Sequence, residues 1–129
     1  MPTFWDFFGF GSKRRTALEG FDRVLSQLQV NPGLIDDGMR YAIYGAVQSL
    51  SPALLDQRLR DAAELISLCV LGPTETAAVW GDAVCRARDA RLTAALDDQS
   101  SDSLDTRVIK LVLMKGIASP EVAARVELE

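Results

Sequence analysis

The 129-residue chain contains no histidine. That removes the commonest metal ligand and the commonest general base at neutral pH. Its two cysteines, Cys69 and Cys85, lie 16 residues apart in apolar surroundings and fit no CxxC spacing, which argues against a zinc or redox motif. Both are expected as buried, reduced thiols. No apolar run approaches the ~18 residues of a membrane span, and nothing has the order of a signal peptide, because the aromatic run precedes the basic residues. The expected location is cytoplasmic, in a protein of bacterial style. No HExxH, DxDxDG, GxSxG or Walker-type stretch is present. Asp36-Asp37 and Asp97-Asp98 are adjacent carboxylates, and neighbours on a helix point about 100° apart, so neither forms an acid/base pair alone. The first pair reads as compensation of a helix dipole, the second as a loop or helix end. Neither a metal nor a cofactor is expected, and the chain is not expected to be an enzyme.

Charge is scarce in one sense as well. The net charge is −4, and outside residues 13–15 there is no basic stripe of the kind a nucleic-acid binder carries. Lys13, Arg14 and Arg15 against Asp6 give residues 1–15 a net of +2, so the remainder carries −6. A basic head therefore sits on an acidic body. Composition is otherwise that of a globular domain, 48% hydrophobic and 25% charged, and the length suits one core.

What is abundant is helical punctuation. Asn31-Pro32, Ser51-Pro52, Gly72-Pro73 and Ser119-Pro120 each pair a cap residue with a proline, whose missing N–H costs nothing in the first helical turn. Between them the apolar period is 3.6, not 2, and no run reads as a strand. The pattern predicts helices over 14–29, 32–50, 52–71, 74–96, 103–116 and 120–127. In the second, Gly38, Ala42, Gly45 and Ser49 form a small-residue strip suited to close approach of another helix, with Tyr44 in the polar half and both Tyr41 and Tyr44 at the edge of the apolar arc, suited to a core rim or an interface. In the third, Leu55, Leu59, Ala62, Ile66 and Cys69 face inward, Ser67 faces out, and the apolar turn Leu68–Leu71 marks a central end. The fifth, with its run Val108–Met114, is expected to be the most buried. The fold class is all-α: a compact bundle of five main helices plus a short C-terminal one. Helix starts at 32, 52 and 73 recur every 20 or 21 residues, which keeps a short α-solenoid of helical hairpins as the alternative. The expected division is an aromatic and basic segment over 1–13, a single domain over 14–127, and Leu128-Glu129 read as a candidate vector-derived tail.

Two stretches carry candidate sites. Cys85–Arg91 holds Arg88 and Arg91 in the sector of Ala77, Trp80 and Val84, which faces the core. Paired guanidiniums fork onto carboxylate or phosphate, so they are candidate anion-binding residues. The competing account is snorkelling or pairing with Asp36, Asp37, Asp61 or Glu64. Asp82, Arg86 and Asp89 read as a surface charge ladder. Trp80 reads as core.

The other stretch is the head, TFWDFFGFGSKRR. It gathers Phe4, Trp5, Phe7, Phe8 and Phe10, five of the nine aromatic residues, next to Lys13, Arg14 and Arg15. Thr3 and Asp6 suit a reciprocal cap, and Gly9 and Gly11 are expected to break the turn that follows. One or two turns are not stable alone, so the segment must lean on its own bundle, on another subunit or partner protein, or on an anionic membrane surface. The aromatic-then-basic opening resembles that of the bacterial cell-division topological factors, whose N-terminal turn touches the inner membrane. The resemblance stops at the head, the rest of the chain being unlike those α/β proteins. The function expected is a non-catalytic interaction module, an adaptor, regulator or immunity-type binding protein, with residues 4–15 as its docking segment. Alternatives are a peripheral membrane protein anchored by residues 3–15, and a small-anion binder using Arg88 and Arg91. The expected partner is another protein or a second copy, with an anionic membrane surface as the alternative, and neither nucleic acid nor metal.

Overall fold

The computed structural model describes residues 4–98 and 102–128, with side chains over 13–98 and 102–126. Among the described residues every regular element is helical: α1 (Phe4–Gln27), a 3-10 turn (Pro32–Leu34), α2 (Asp37–Val47), α3 (Pro52–Leu71), α4 (Pro73–Trp80), α5 (Asp82–Asp97), α6 (Leu104–Lys115) and α7 (Pro120–Leu128).

Helix α1 begins ten residues earlier than expected and runs straight through Gly9 and Gly11. A glycine in a helix interior costs only about 1 kcal/mol relative to alanine, which a long helix tolerates. The helix closes where Gln29 turns left-handed (φ 63) and the Val30 N–H reaches back to the Leu25 carbonyl at 2.9 Å. Val30 and Leu25 are both buried there, the apolar contact that accompanies this type of helix end.

The expected second helix is split. Asn31 accepts from the Gly33 N–H at 2.9 Å and starts the 3-10 turn, Ile35 is extended, and Asp36 Oδ1 accepts from the Met39 N–H at 2.8 Å to cap α2. Short side chains that bond the nearby backbone divert the chain from a helix they would otherwise continue. The face of α2 also differs from the expected one. Met39, Ile43, Tyr44 and Val47 are buried, whereas Gly38, Ala42, Gly45 and Ser49 are exposed, and open space lies above Gly45. The small-residue strip thus receives no helix. Burying Tyr44 and Met39 removes far more apolar area from water than burying glycine and alanine.

Helix α3 has the expected bounds and is the axis of the molecule. It packs against α1, α2, α4, α5 and α6. Leu65 to Cys69 are five consecutive buried residues. Ser67 is among them rather than facing out, and its Oγ donates to the Leu28 carbonyl at 2.9 Å. One element touching five others is the signature of a compact bundle. In a solenoid each repeat meets only its neighbours.

The expected helix over 74–96 breaks at Gly81, giving α4 and α5. Gly72 and Gly81 adopt nearly the same backbone, φ 88 and ψ 161 against φ 92 and ψ 164, and each ends one helix and begins the next. At Gly72 the chain turns through 116°. Helix α6 is capped by Ser103, whose Oγ accepts from the Thr106 N–H, and closes at left-handed Gly116. It is less central than expected: Met114 is 72% exposed, and α3 holds the middle. The entry to α7 is tied to the end of α3 by the Ser119 N–H bonding the Cys69 carbonyl at 2.7 Å.

Two outcomes follow. The backbone region of Gly72 and Gly81 belongs almost solely to glycine, at a cost of about 1–3 kcal/mol for other residues. A Cβ at Gly81 meets nothing within 4 Å, whereas one at Gly72 lies 2.8 Å from Ser119 Oγ and 2.9 Å from Glu121 Oε1. Urea unfolding is therefore expected to show both Gly81→Ala and Gly72→Ala destabilised, with Gly72→Ala the worse. Separately, the Lys115 ammonium, 2.8 Å away, and the Met39 N–H hold the Asp36 carboxyl below its ordinary value of 3.8. A carboxyl depressed in the folded state stabilises above its unfolded pKa, and that contribution is lost as pH falls. Asp36→Asn keeps a capping oxygen without the titration, so its stability should fall less steeply than wild type as pH drops below 3.8.

Candidate functional site

Arg88 and Arg91, one turn apart on α5, meet different surroundings. Arg91 forks onto Asp105 of α6, Nη2 to Oδ1 at 2.8 Å and Nε to Oδ2 at 3.2 Å, and Nη2 also donates to the Asp61 carbonyl of α3 at 2.9 Å. Burial alone would lower its pKa, but the hydrogen bond and charge of Asp105, together with the charges of Asp61 and Glu64, outweigh that and raise it. Asp105 was not among the partners expected, since nothing in sequence ties it to Arg91 across the Asp97–Ser103 connection.

Arg88 is 8% exposed and lies over the Trp80 ring, guanidinium carbon to centroid 5.0 Å. Its Nε is 3.8 Å from Glu64 Oε2, one of the expected partners, yet Nε and Nη1 have no hydrogen-bond partner. Burial pushes its pKa down. The Gly81 corner separates Trp80 and Arg88 onto two helices and then stacks them. The two guanidiniums thus make separate contacts inside the bundle, Arg91 with its fork filled by Asp105 and Arg88 with two buried nitrogens left without a hydrogen-bond partner. The charge ladder of Asp82, Arg86 and Asp89 is replaced by a cross-helix set, in which Arg125 of α7 pairs with Asp89 and donates to Thr93 Oγ1 at 2.8 Å.

The cysteines are free and buried, as expected. Burial pushes the Cys69 thiol up to about 12, and Cys85 Sγ donates to the Pro73 carbonyl at 3.3 Å. Neither has the electropositive, open setting of a reactive thiolate. Among the described residues no three of His, Cys, Asp and Glu are grouped as metal ligands.

The aromatic side chains of Phe4, Trp5, Phe7, Phe8 and Phe10 lie outside the described residues. Their backbone belongs to α1, which carries them on from a turn that is exposed on all sides: Lys13, Arg14, Arg15 and Thr16. Arg14 lies 4.9 Å from the centroid of Tyr41, itself 48% exposed. The core contribution of α1 starts later, with Phe21 and Leu25 buried and Ala17, Val24 and Leu28 packed beside them.

Where α1 meets α3 there is an open groove of about 950 Å³. Leu28 contacts Ser67, and the groove runs back from there along the earlier turns of both helices, with the end of α2 as a third wall. Phe21, Val24, Leu55, Leu59 and Tyr44 make its floor. Gly20 opens that floor, since a Cβ there would meet nothing within 4 Å. Lys13 and Arg23 from α1 and Arg60 from α3 stand at the edges, with Asp56 the carboxylate among the lining residues. Nothing in the sequence pattern brings Arg23 and Arg60 together, since they lie on different helices 37 residues apart. The available signal was Gly20, a poor helix former beside the apolar stripe of a strong helix.

The chain matches no protein-family model, no curated protein and no solved structure.

The arrangement around Arg88 predicts a stability result. Replacing a buried, imperfectly paired charge by an apolar side chain of similar volume is often neutral or stabilising, while truncation leaves a cavity. Chemical denaturation is expected to place Arg88→Met at or above wild type and Arg88→Ala about 2 kcal/mol below it.

Proposed function

We propose that this protein is a non-catalytic interaction module whose N-terminal helix end, residues 4–15, is its docking segment. The observation that carries this reading is the exposed turn Lys13–Thr16. It lies between the aromatic run and the first α1 residues that enter the core, while Phe21, Leu25 and the other helices already enclose an apolar interior. Large aromatic residues carry much apolar area on few rotatable bonds, which suits them as anchors for a second protein surface.

A second reading has its own support. Three adjacent exposed cations beside an aromatic run favour an anionic lipid surface, each contributing roughly 1 kcal/mol near the headgroups. Among the described residues no single helix is long and apolar enough to cross a membrane, so this reading concerns surface attachment.

Full-length Trp5→Ser/Phe8→Ser separates the accounts. On the docking reading its unfolding free energy stays within about 0.5 kcal/mol of wild type, as for surface sites. A loss above about 2 kcal/mol, the cost of truncating a core aromatic, would place the head in the protein's own interior and remove the proposal. Wild type that co-sediments with anionic vesicles, when a Lys13→Gln/Arg14→Gln/Arg15→Gln variant does not, selects the membrane reading instead.

A further inference from the structure

The groove between α1 and α3 is a second surface, which shares only Lys13 with the head, and its charge identifies what it takes. We propose that it receives an amphipathic helix with acidic flanks from another protein. The inference rests on the interaction-module reading for the kind of partner, but not on the aromatic residues of the head.

The groove is recessed, walled by α1 and α3 with the end of α2 as a third side, and the half-buried Val24 and Leu55 present its apolar surface above the buried Phe21 and Leu59. A groove of that form accepts the apolar face of a helix through anchors at i, i+3, i+4 and i+7. Gly20 gives the incoming backbone room to approach. A flat lipid surface touches what protrudes and does not reach such a floor.

The edges carry the specificity. Lys13, Arg23 and Arg60 against Asp56 give the groove a net of +2 on a chain of −4. Most of the protein's other buried or half-buried cations are committed: Arg40 to Asp22, Arg91 to Asp105, Arg125 to Asp89. Among the described residues Lys13, Arg23 and Arg60 make no ion pair, so three uncommitted cations border one apolar groove. Like charges across an interface disfavour a wrong partner. The head of a second copy, itself +2, is therefore a poor occupant, and carboxylates flanking an apolar stripe are the complement.

The test uses two synthetic helical peptides with the same leucine stripe, one flanked by glutamates and one by lysines, titrated into the full chain by fluorescence anisotropy. The glutamate peptide is expected to bind at least about tenfold more tightly, the sum of several rim charge pairs, and to weaken with added salt. Gly20→Leu fills the groove and suits a helix better than glycine, so the variant stays folded and should abolish binding. Arg23→Glu/Arg60→Glu should reverse the preference between peptides. The Trp5→Ser/Phe8→Ser variant should bind the glutamate peptide like wild type, which keeps a failure of the head reading distinct from a failure here. The inference is overturned by equal affinity for both peptides, by no binding up to about 1 mM, or by Gly20→Leu leaving the affinity unchanged. It is also overturned by a wild-type dimer in light scattering that Gly20→Leu dissolves, since that makes a second copy the occupant.

Discussion

Everything in the bundle is arranged around one helix that has no free side. Five consecutive buried residues, Leu65 to Cys69, cover every direction from the α3 axis, so neighbours must stand on all of them. A helix enclosed this way is intolerant of polar groups, and the one it has there is answered: Ser67 bonds the Leu28 carbonyl. The Cys69 carbonyl, at the end of the same stretch, accepts from Ser119. These two bonds pin the ends of α1 and the entry to α7 to the axis. The early half of α3, toward Pro52, is not enclosed on the α1 side, and the groove lies there.

How the fold was legible follows from the same helix. Its start at Ser51-Pro52, its stop at Gly72 and its apolar last turn are local signals, and the bounds came out as read. Glycine elsewhere misled in both directions. Gly9 and Gly11 read as breaks and sit inside α1, while Gly81 falls within the helix expected over 74–96 and is a corner. A single glycine shifts the local balance by only about 1 kcal/mol, less than tertiary packing decides. At Gly81 the packing gain is concrete, since the corner returns α5 to place Arg88 over Trp80 and Arg91 on Asp105. The face of α2 failed for a related reason. Periodicity marks an apolar half-circle, and the larger side chains, Met39, Ile43 and Tyr44, then select which part of it turns inward.

The candidate sites show what one dimension hides. Arg88 and Arg91 stood out in sequence because they share a core-facing sector, and the structure gives each a separate partner. Glu64 was a foreseeable one, being on a preceding helix of known face. Asp105 was not, because its distance depends on how α6 packs beside α5. The groove is harder still. Lys13, Arg23 and Arg60 are unremarkable surface cations until α1 and α3 lie side by side, and only then do they border a common floor.

That juxtaposition changes how the acidity of the chain should be understood. Head and groove together hold Lys13, Arg14, Arg15, Arg23 and Arg60 against Asp6 and Asp56, a net of +3, which leaves −7 for everything else. Counted by residue, the charge is therefore uneven rather than uniformly acidic. A field of this kind orients an approaching charged partner over about a Debye length, roughly 8 Å at physiological salt, before any contact forms. On the proposed reading the head and the groove, joined through Lys13, form one positive face. An acidic helix drawn to it is turned away from the rest of the surface by like charge. Rejection by the −7 body then contributes to selectivity as much as attraction by the groove, and a net charge that looks contrary to a basic binding site becomes part of how the site is found.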